Sequence, residues 1–304
     1  MKTQILVCAF LAVFAAQIAE AHSTEASDID SAYSRLRANI DQVFASAPLD
    51  STGGQTRSRI AEIYNHQIHK YQTNSTITKV PGTDLELLRR AAMEAYADTN
   101  ESYILNDYLL DVDELARRGI ASRRAYRDEV YAFIQARMFG RAQRVALEHP
   151  EAGISPIPEV TLAKGFRDDA PAVLVWDKKG NRFIAKNIDL RNFRLVIVGH
   201  PLCHFTQRAV SDISNNNKLK QVTTGALWIL PQDGTLDPTV IAQWNATHPA
   251  QPMAIAYLES KWPGFSYWGT PTFYFLKNGA VIRSVIGWPS NGNAGALIQS
   301  ADTH

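Results

Sequence analysis

The chain has 304 residues, 45% of them hydrophobic and 20% charged, the balance of a folded globular protein rather than a disordered one. A formal net charge of +1, with no basic stripe and no nucleic-acid motif, gives no electrostatic case for DNA, RNA or an anionic membrane as partner. The length suffices for two ordinary domains.

The chain opens on "MKTQILVCAFLAVFAAQIAEAHS". Lys2 supplies a positive start, an apolar run follows from Ile5 to Ile18, and Ala19-Glu20-Ala21 offers small residues where a signal peptidase reads them. This pattern predicts a secretory signal peptide over 1–21, cleaved after Ala21. The run is shorter than the roughly 20 residues that span a bilayer, so no membrane insertion is expected after cleavage. Cleavage removes Cys8 and leaves Cys203 as the one cysteine of the mature chain. A structural disulfide within that chain is then impossible, and an odd cysteine in an exported protein points to a reactive thiol or to pairing with another molecule. The competing reading is a buried, inert thiol.

From Ser27 to about His149 the pattern is helical, with good helix formers and sparse glycine. "DIDSAYSRLRANIDQVFASA" spaces Ile29, Tyr33, Leu36, Ile40, Val43 and Phe44 for one helix face. "SRIAEIYNHQIHKYQ" does the same with Ile60, Ile63, Tyr64 and Ile68. A third helix is expected to start near Thr83, with Glu86 three positions on as a capping box requires. "ESYILNDYLLDVDELARR", stopped by Gly119, and "ASRRAYRDEVYAFIQARMFGRAQRVALE" complete a small bundle over 22–149. Pro48, Gly53-Gly54 and Pro81-Gly82 punctuate it. His66 and His69 share a helix, but nothing of matching spacing joins them as metal ligands, so an ordinary histidine pair is expected.

"EHPEAGISPIPEVTLAKG", with Pro150, Pro156 and Pro158, reads as the domain boundary. Strands and helices alternate beyond it. "AVLVW" and "NRFIAKNI" form a hairpin, and "RLVIVG" is a strand buried on both faces. "CHFTQRAVSDISN" is a helix, "GALWILP" a strand, and "DPTVIAQWNATH" a helix capped by Asp237 with Pro238 at its first position. "MAIAYLE" is a strand, "TPTFYFLKNGAVIRSVIGW" a hairpin turning at Asn278-Gly279, and "NAGALIQSA" a short final helix. The result is a two-domain α+β chain: a helical domain over 22–149 and an α/β domain with a mixed sheet over 150–304.

Two separated segments of that second domain resemble the thioredoxin superfamily: the strand–Cys–helix unit "RLVIVGHPLCHFTQRAV" and the hairpin "GTPTFYFLKNGAVIRSVIGWP". The likeness covers roughly Ile154 to the C-terminus and is nearest to exported thiol–disulfide interchange proteins. It implies a thioredoxin-like fold in which Pro271, preceded by Thr270, is the cis-proline lying against the active-site sulfur. By the same resemblance, the backbone at Thr270 and Pro271 binds extended polypeptide substrates. The chain departs from the family at the motif itself. Where Cys-x-x-Cys is usual, this sequence has Cys203-His204-Phe205-Thr206, and Ile197 stands near where some members bury a carboxylate.

One sulfur changes the chemistry. A cysteine opening a helix feels the positive end of the helix dipole, which favours thiolate; His204, if protonated, and the Thr206 hydroxyl would add to this. Cys203 is then expected to form mixed disulfides with polypeptide or small-molecule disulfides, released by an external thiol. No cofactor is required. Two alternatives stand beside monothiol exchange: a redox-silent thioredoxin-like binding or scaffold protein, and a copper or zinc site at His200, Cys203 and His204, with His248 as a further ligand. The helical domain is a candidate for holding a partner, for homodimer formation or for shielding the site. The signal peptide reads as bacterial and the expected location is the periplasm or the exterior, so the sequons at Asn74, Asn100 and Asn245 read as chance matches.

Overall fold

The computed structural model describes residues 27–46 and 53–302. The signal peptide, Cys8 and Pro48 lie outside them. In α1 (Asp28–Ser46) the residues Ile29, Tyr33, Leu36, Ile40 and Val43 are buried, the stripe that the spacing predicts. Phe44, read as part of that stripe, is 51% exposed. With α2 (Gly53–Gln67), α3 (Gly82–Thr99) and α4 (Ser102–Arg117), α1 closes a helical core around Tyr64, Leu88, Tyr96 and Tyr108.

The expected capping box at Thr83 is absent. Helix α3 begins one residue earlier, behind Pro81, with no side-chain cap. Glu86 is engaged elsewhere. The fully buried Arg89 donates to it from Nε and Nη2, both at 2.8 Å, and from Nη1 to Asp128 at 2.8 Å. A buried guanidinium is costly without partners, and it outcompetes a helix N-terminus for the same carboxylate.

The segment read as one helix over 121–148 is two, α5 (Arg123–Gln135) and α6 (Phe139–Glu148). Between them Arg137 takes the left-handed region at φ 61°. Arginine is a good helix former and carries no local signal for a break. Its side chain is turned inward to main-chain carbonyls, and those bonds offset a conformation that costs a non-glycine residue about 1–2 kcal/mol.

The remaining chain builds one eight-stranded sheet in the order β1-β3-β2-β6-β5-β4-β7-β8. The strands are β1 (Glu159–Leu162), β2 (Ala172–Asp177), β3 (Arg182–Asn187), β4 (Leu195–Val198), β5 (Leu227–Leu230), β6 (Met253–Ala256), β7 (Thr272–Lys277) and β8 (Ala280–Ile286). The trio β4, β5 and β6 is parallel, while β7 runs antiparallel to β4 and β2 antiparallel to β6. Helices α7 (His204–Asn215), α8 (Asn217–Thr223), α9 (Pro238–Thr247) and α10 (Ala294–Asp302) complete it. This is the expected order of a helical N-terminal part followed by a mixed α/β sheet.

Two elements were not expected. Strand β1 lies inside the proline-rich segment and pairs on one side only, with β3; an edge strand needs half the ladder and tolerates flanking proline. Helix α8 starts on Asn216, whose side chain accepts from Lys218 N and Leu219 N at 2.9 and 3.2 Å.

Strand β4 shows why its sequence is apolar throughout. Leu195 and Ile197 face one core, with α7, α9 and α10; Val196 and Val198 face another, walled by Trp262, Phe265 and Trp268. The first of these cores also takes Val130, Phe133 and Ile134 of α5 and Ala142 and Val145 of α6. Helix α5 turns Ala125 and Ala132 the other way, into the helical core. The apolar contacts thus run continuously across the proline-rich segment.

Candidate functional site

Strand β4 ends at Val198, and Gly199 to Leu202 turn the chain into α7. Gly199 is packed so closely against the Thr206 and Met253 side chains that an added Cβ would crowd them. Cys203 is the N-cap of α7: its φ and ψ are −81° and 117°, and its carbonyl accepts the first helical bond, from Gln207 N at 3.0 Å. Its side chain therefore stands at the positive end of the helix.

Across from it stands the start of β7. The Cys203 Sγ lies 3.5 Å from the carbonyl oxygen of Thr270, 67 residues away in sequence. The Thr270–Pro271 peptide bond is cis. Hydrogen bonds hold this turn from both sides: Thr272 Oγ1 donates to Gly269 O at 2.6 Å, and Gly287 N donates to Pro271 O at 2.8 Å. Cys203, Thr206, Thr270 and Pro271, named from sequence, are thus brought together.

Cys203 is partly exposed. Burial pushes its thiol up, but hydrogen bonding from Thr270, from the backbone and hydroxyl of Thr206 and from the backbone of Phe205 outweighs this. The thiol ends below its ordinary value. Thr206 is fully buried, and its Oγ1 also accepts from His200 N at 3.3 Å. The threonine at the usual second-cysteine position is therefore a fixed strut between loop and helix.

His204 does not take the role expected of it. It is exposed, its ring lies against that of Phe205 with centroids 3.8 Å apart, and it is not among the strongest influences on the thiol. His200 is the better-placed histidine. Its carbonyl accepts from Cys203 N at 3.0 Å, and its Nδ1 accepts from Leu202 N at 3.1 Å. Burial holds its pKa below the ordinary value, against the pull of Asp233. Nothing in the sequence marks Asp233 as a neighbour of this loop. A hint was available for the rim alone: Leu202 and Phe205 are large apolar residues beside the cysteine, and both remain exposed, at 69% and 39%.

The metal alternative finds no support in this geometry. Among the described residues no three His, Cys, Asp or Glu side chains gather as a metal site. His248 is stacked on Trp244 with ring centroids 3.9 Å apart, and its Nδ1 lies 2.9 Å from Thr247 Oγ1. His69 is bonded to Asp107 at 2.6 Å and so is no partner for His66. Ile197 is buried in an apolar core, so that position supplies no carboxylate to the site.

No protein-family model matches the chain, and no curated protein matches it. Two solved structures are similar to it. One is a protein provisionally named a thioredoxin, from Neisseria meningitidis, with 21% identity over 45% of this chain and 91% of that one and a TM-score of 0.28. The other is a thioredoxin-like protein from Bacteroides caccae, with 12% identity over 80% of this chain and 84% of that one and a TM-score of 0.29.

Proposed function

We propose that the chain is a thioredoxin-fold protein that performs monothiol thiol–disulfide exchange through Cys203. The observation that supports this best is a lone, partly exposed thiol held below its ordinary pKa at a helix N-terminus, beside the Thr270–Pro271 turn. In the first step the Cys203 thiolate attacks one sulfur of a disulfide. A Cys203–substrate disulfide forms, the original S–S bond breaks, and the departing thiolate takes up a proton. Thr206 cannot resolve that bond, because a hydroxyl does not displace a thiolate from sulfur. An external thiolate attacks the substrate sulfur instead, regenerates the Cys203 thiolate and leaves as the new disulfide. The sum is an exchange with no net oxidation. The low pKa raises the thiolate fraction near neutral pH, which sets the rate of the first step.

The test is to trap mixed disulfides by acid quenching and to read them by mass spectrometry. The intact chain should carry adducts that an added thiol removes and that Cys203→Ser lacks. Thr206→Cys should add measurable insulin reduction with dithiothreitol. Absence of adducts from disulfide-treated protein, with Cys203 alkylating no faster than a free thiol, would overturn the proposal. We also propose export, with removal of residues 1–21. Purified mature protein should then begin at His22, and an intact mass retaining Met1 would refute this.

A further inference from the structure

We propose that Arg137, in the helical half, is a positioning residue of the thiol site: it fastens the loop after β5, and with it Asp233, beside His200 and the Cys203 turn. This rests on the exchange reading for its chemistry and on geometry for its wiring.

Arg137 is buried, and its guanidinium makes an unusual set of bonds. Nη2 donates to Ala256 O at 2.7 Å, Nε donates to Tyr257 O, and Nη1 donates to Ile134 O and Asp233 O, both at 3.1 Å. All four acceptors are main-chain carbonyls and none is a carboxylate. Three of them sit at or just past the ends of β5 and β6, along the edge of the parallel trio at which β4 delivers the Cys203 turn. Burying a cation there is costly, and an apolar side chain would fill the space at less expense. What an apolar residue cannot do is bind several loop carbonyls at once, which the planar fork of arginine does. Burial pulls Arg137 down to about 10, against Asp233 and Glu259, so it stays charged at neutral pH.

Other groups grip the same loop. Gln232 Nε2 donates to Gln135 O at 2.6 Å, and Gln232 and Glu259 exchange two backbone–side-chain bonds, both at 2.8 Å. Arg57 of α2 pairs with Glu259. Gly234 lies against the Tyr131 ring so closely that any Cβ there would collide with it. The loop is therefore held from the helical half by α2, by α5 and by the turn after it.

The loop reaches the thiol through His200. The Asp233 carboxylate accepts from Thr235 N and Thr235 Oγ1, both at 3.0 Å, and acts electrostatically on His200. His200 in turn bonds to Leu202, Cys203 and Thr206. Two of these bonds are made by the His200 backbone, and the turn is tied to the braced strand ends at Gly199, whose N donates to Ile229 O at 2.8 Å and which packs against the Met253 side chain. The helical half is then a structural wall of the site, not a separate appendage.

The experiment measures the pH profile of Cys203 alkylation by iodoacetamide in the full chain, with Arg137→Met and Arg137→Lys beside the parent. Arg137→Met should move the midpoint up by about 0.5–1 pH unit, which slows alkylation near neutral pH by roughly three- to tenfold. Arg137→Lys, with fewer and differently aimed donors, should fall between. Gly279→Ala, at the far hairpin end of β7, lowers stability without touching the loop and should leave the midpoint where it is. A folded Arg137→Met with the parent's midpoint overturns the proposal. Should Arg137→Met not fold, Gln232→Ala, which cuts the bridges to Gln135 and Glu259, replaces it under the same criterion. The comparison is between variant and parent, so it stands whether or not the parent's midpoint lies below that of a free thiol; that second question, together with the trapping of adducts, decides the exchange reading.

Discussion

The Thr206 hydroxyl serves the His200 backbone and the Cys203 sulfur together. Thr206→Val keeps the shape and removes both bonds. The partly buried His200 N–H then loses its acceptor, at a cost of about 1 kcal/mol, and the thiolate loses a donor. Denaturant melts should show the first effect, and an upward shift in the alkylation midpoint the second. A separate titration lies in the helical half. Burial and the nearby Asp113 and Glu148 push Glu129 up to about 7, against His149 and Arg141. In the unfolded chain a glutamate ionises near its ordinary value of about 4.3. The native state therefore holds this proton more tightly. Its contribution falls as pH climbs from the unfolded value toward 7, and the full penalty is present above that. Glu129→Gln removes the penalty. It should raise stability by about 1 kcal/mol at pH 8, partial exposure being allowed for, and change it little at pH 4. Equal effects at both pH values would contradict this account.

Helix α5 faces two cores at once, with Ala125 and Ala132 toward the bundle and Val130, Phe133 and Ile134 toward the sheet. Its apolar residues therefore surround much of its circumference, which made it merge with α6 in a reading by periodicity. The β7–β8 hairpin is the opposite case, because its turn is written locally. Asn278 and Gly279 take φ of 53° and 82°, which a two-residue hairpin turn requires. Gly279→Ala puts a Cβ where the backbone disfavours it and should lower stability by about 1 kcal/mol. Thermal melts check the loss. Disulfide exchange measured below the melting range should be unchanged, since Thr272 at the other end of β7 is the end that meets the site.

Across the whole molecule, the division at 149/150 separates helix from sheet but not one core from another. A fragment beginning at Gly153 would keep every strand and Cys203. It would also bare the surface that Val130, Phe133, Ile134, Ala142 and Val145 cover, and leave the carbonyls of Asp233, Ala256 and Tyr257 without Arg137. Such a fragment is expected to unfold at lower denaturant than the full chain, or to aggregate. Limited proteolysis at the proline-rich segment, followed by a melt of the nicked and separated products, measures it. A C-terminal product as stable as the full chain would show that the two parts fold independently.

Local chemistry was enough to place most elements and Cys203. An all-apolar β4, the Asp237-Pro238 helix start, the Asn278-Gly279 turn and Cys203 at the head of α7 each depend on neighbours within a few residues, where strand and helix periods are set. The pairing of Cys203 with Thr270–Pro271 was legible only through resemblance, because no local feature links residues 67 positions apart. The break at Arg137, the empty capping box at Thr83 and the exchange of His204 for His200 were decided by tertiary structure. In each case a distant polar group competes with the local preference and prevails. Arg137 leaves the helix because carbonyls 96 to 120 residues further along await its guanidinium, and burial makes those bonds worth more than one more helical turn.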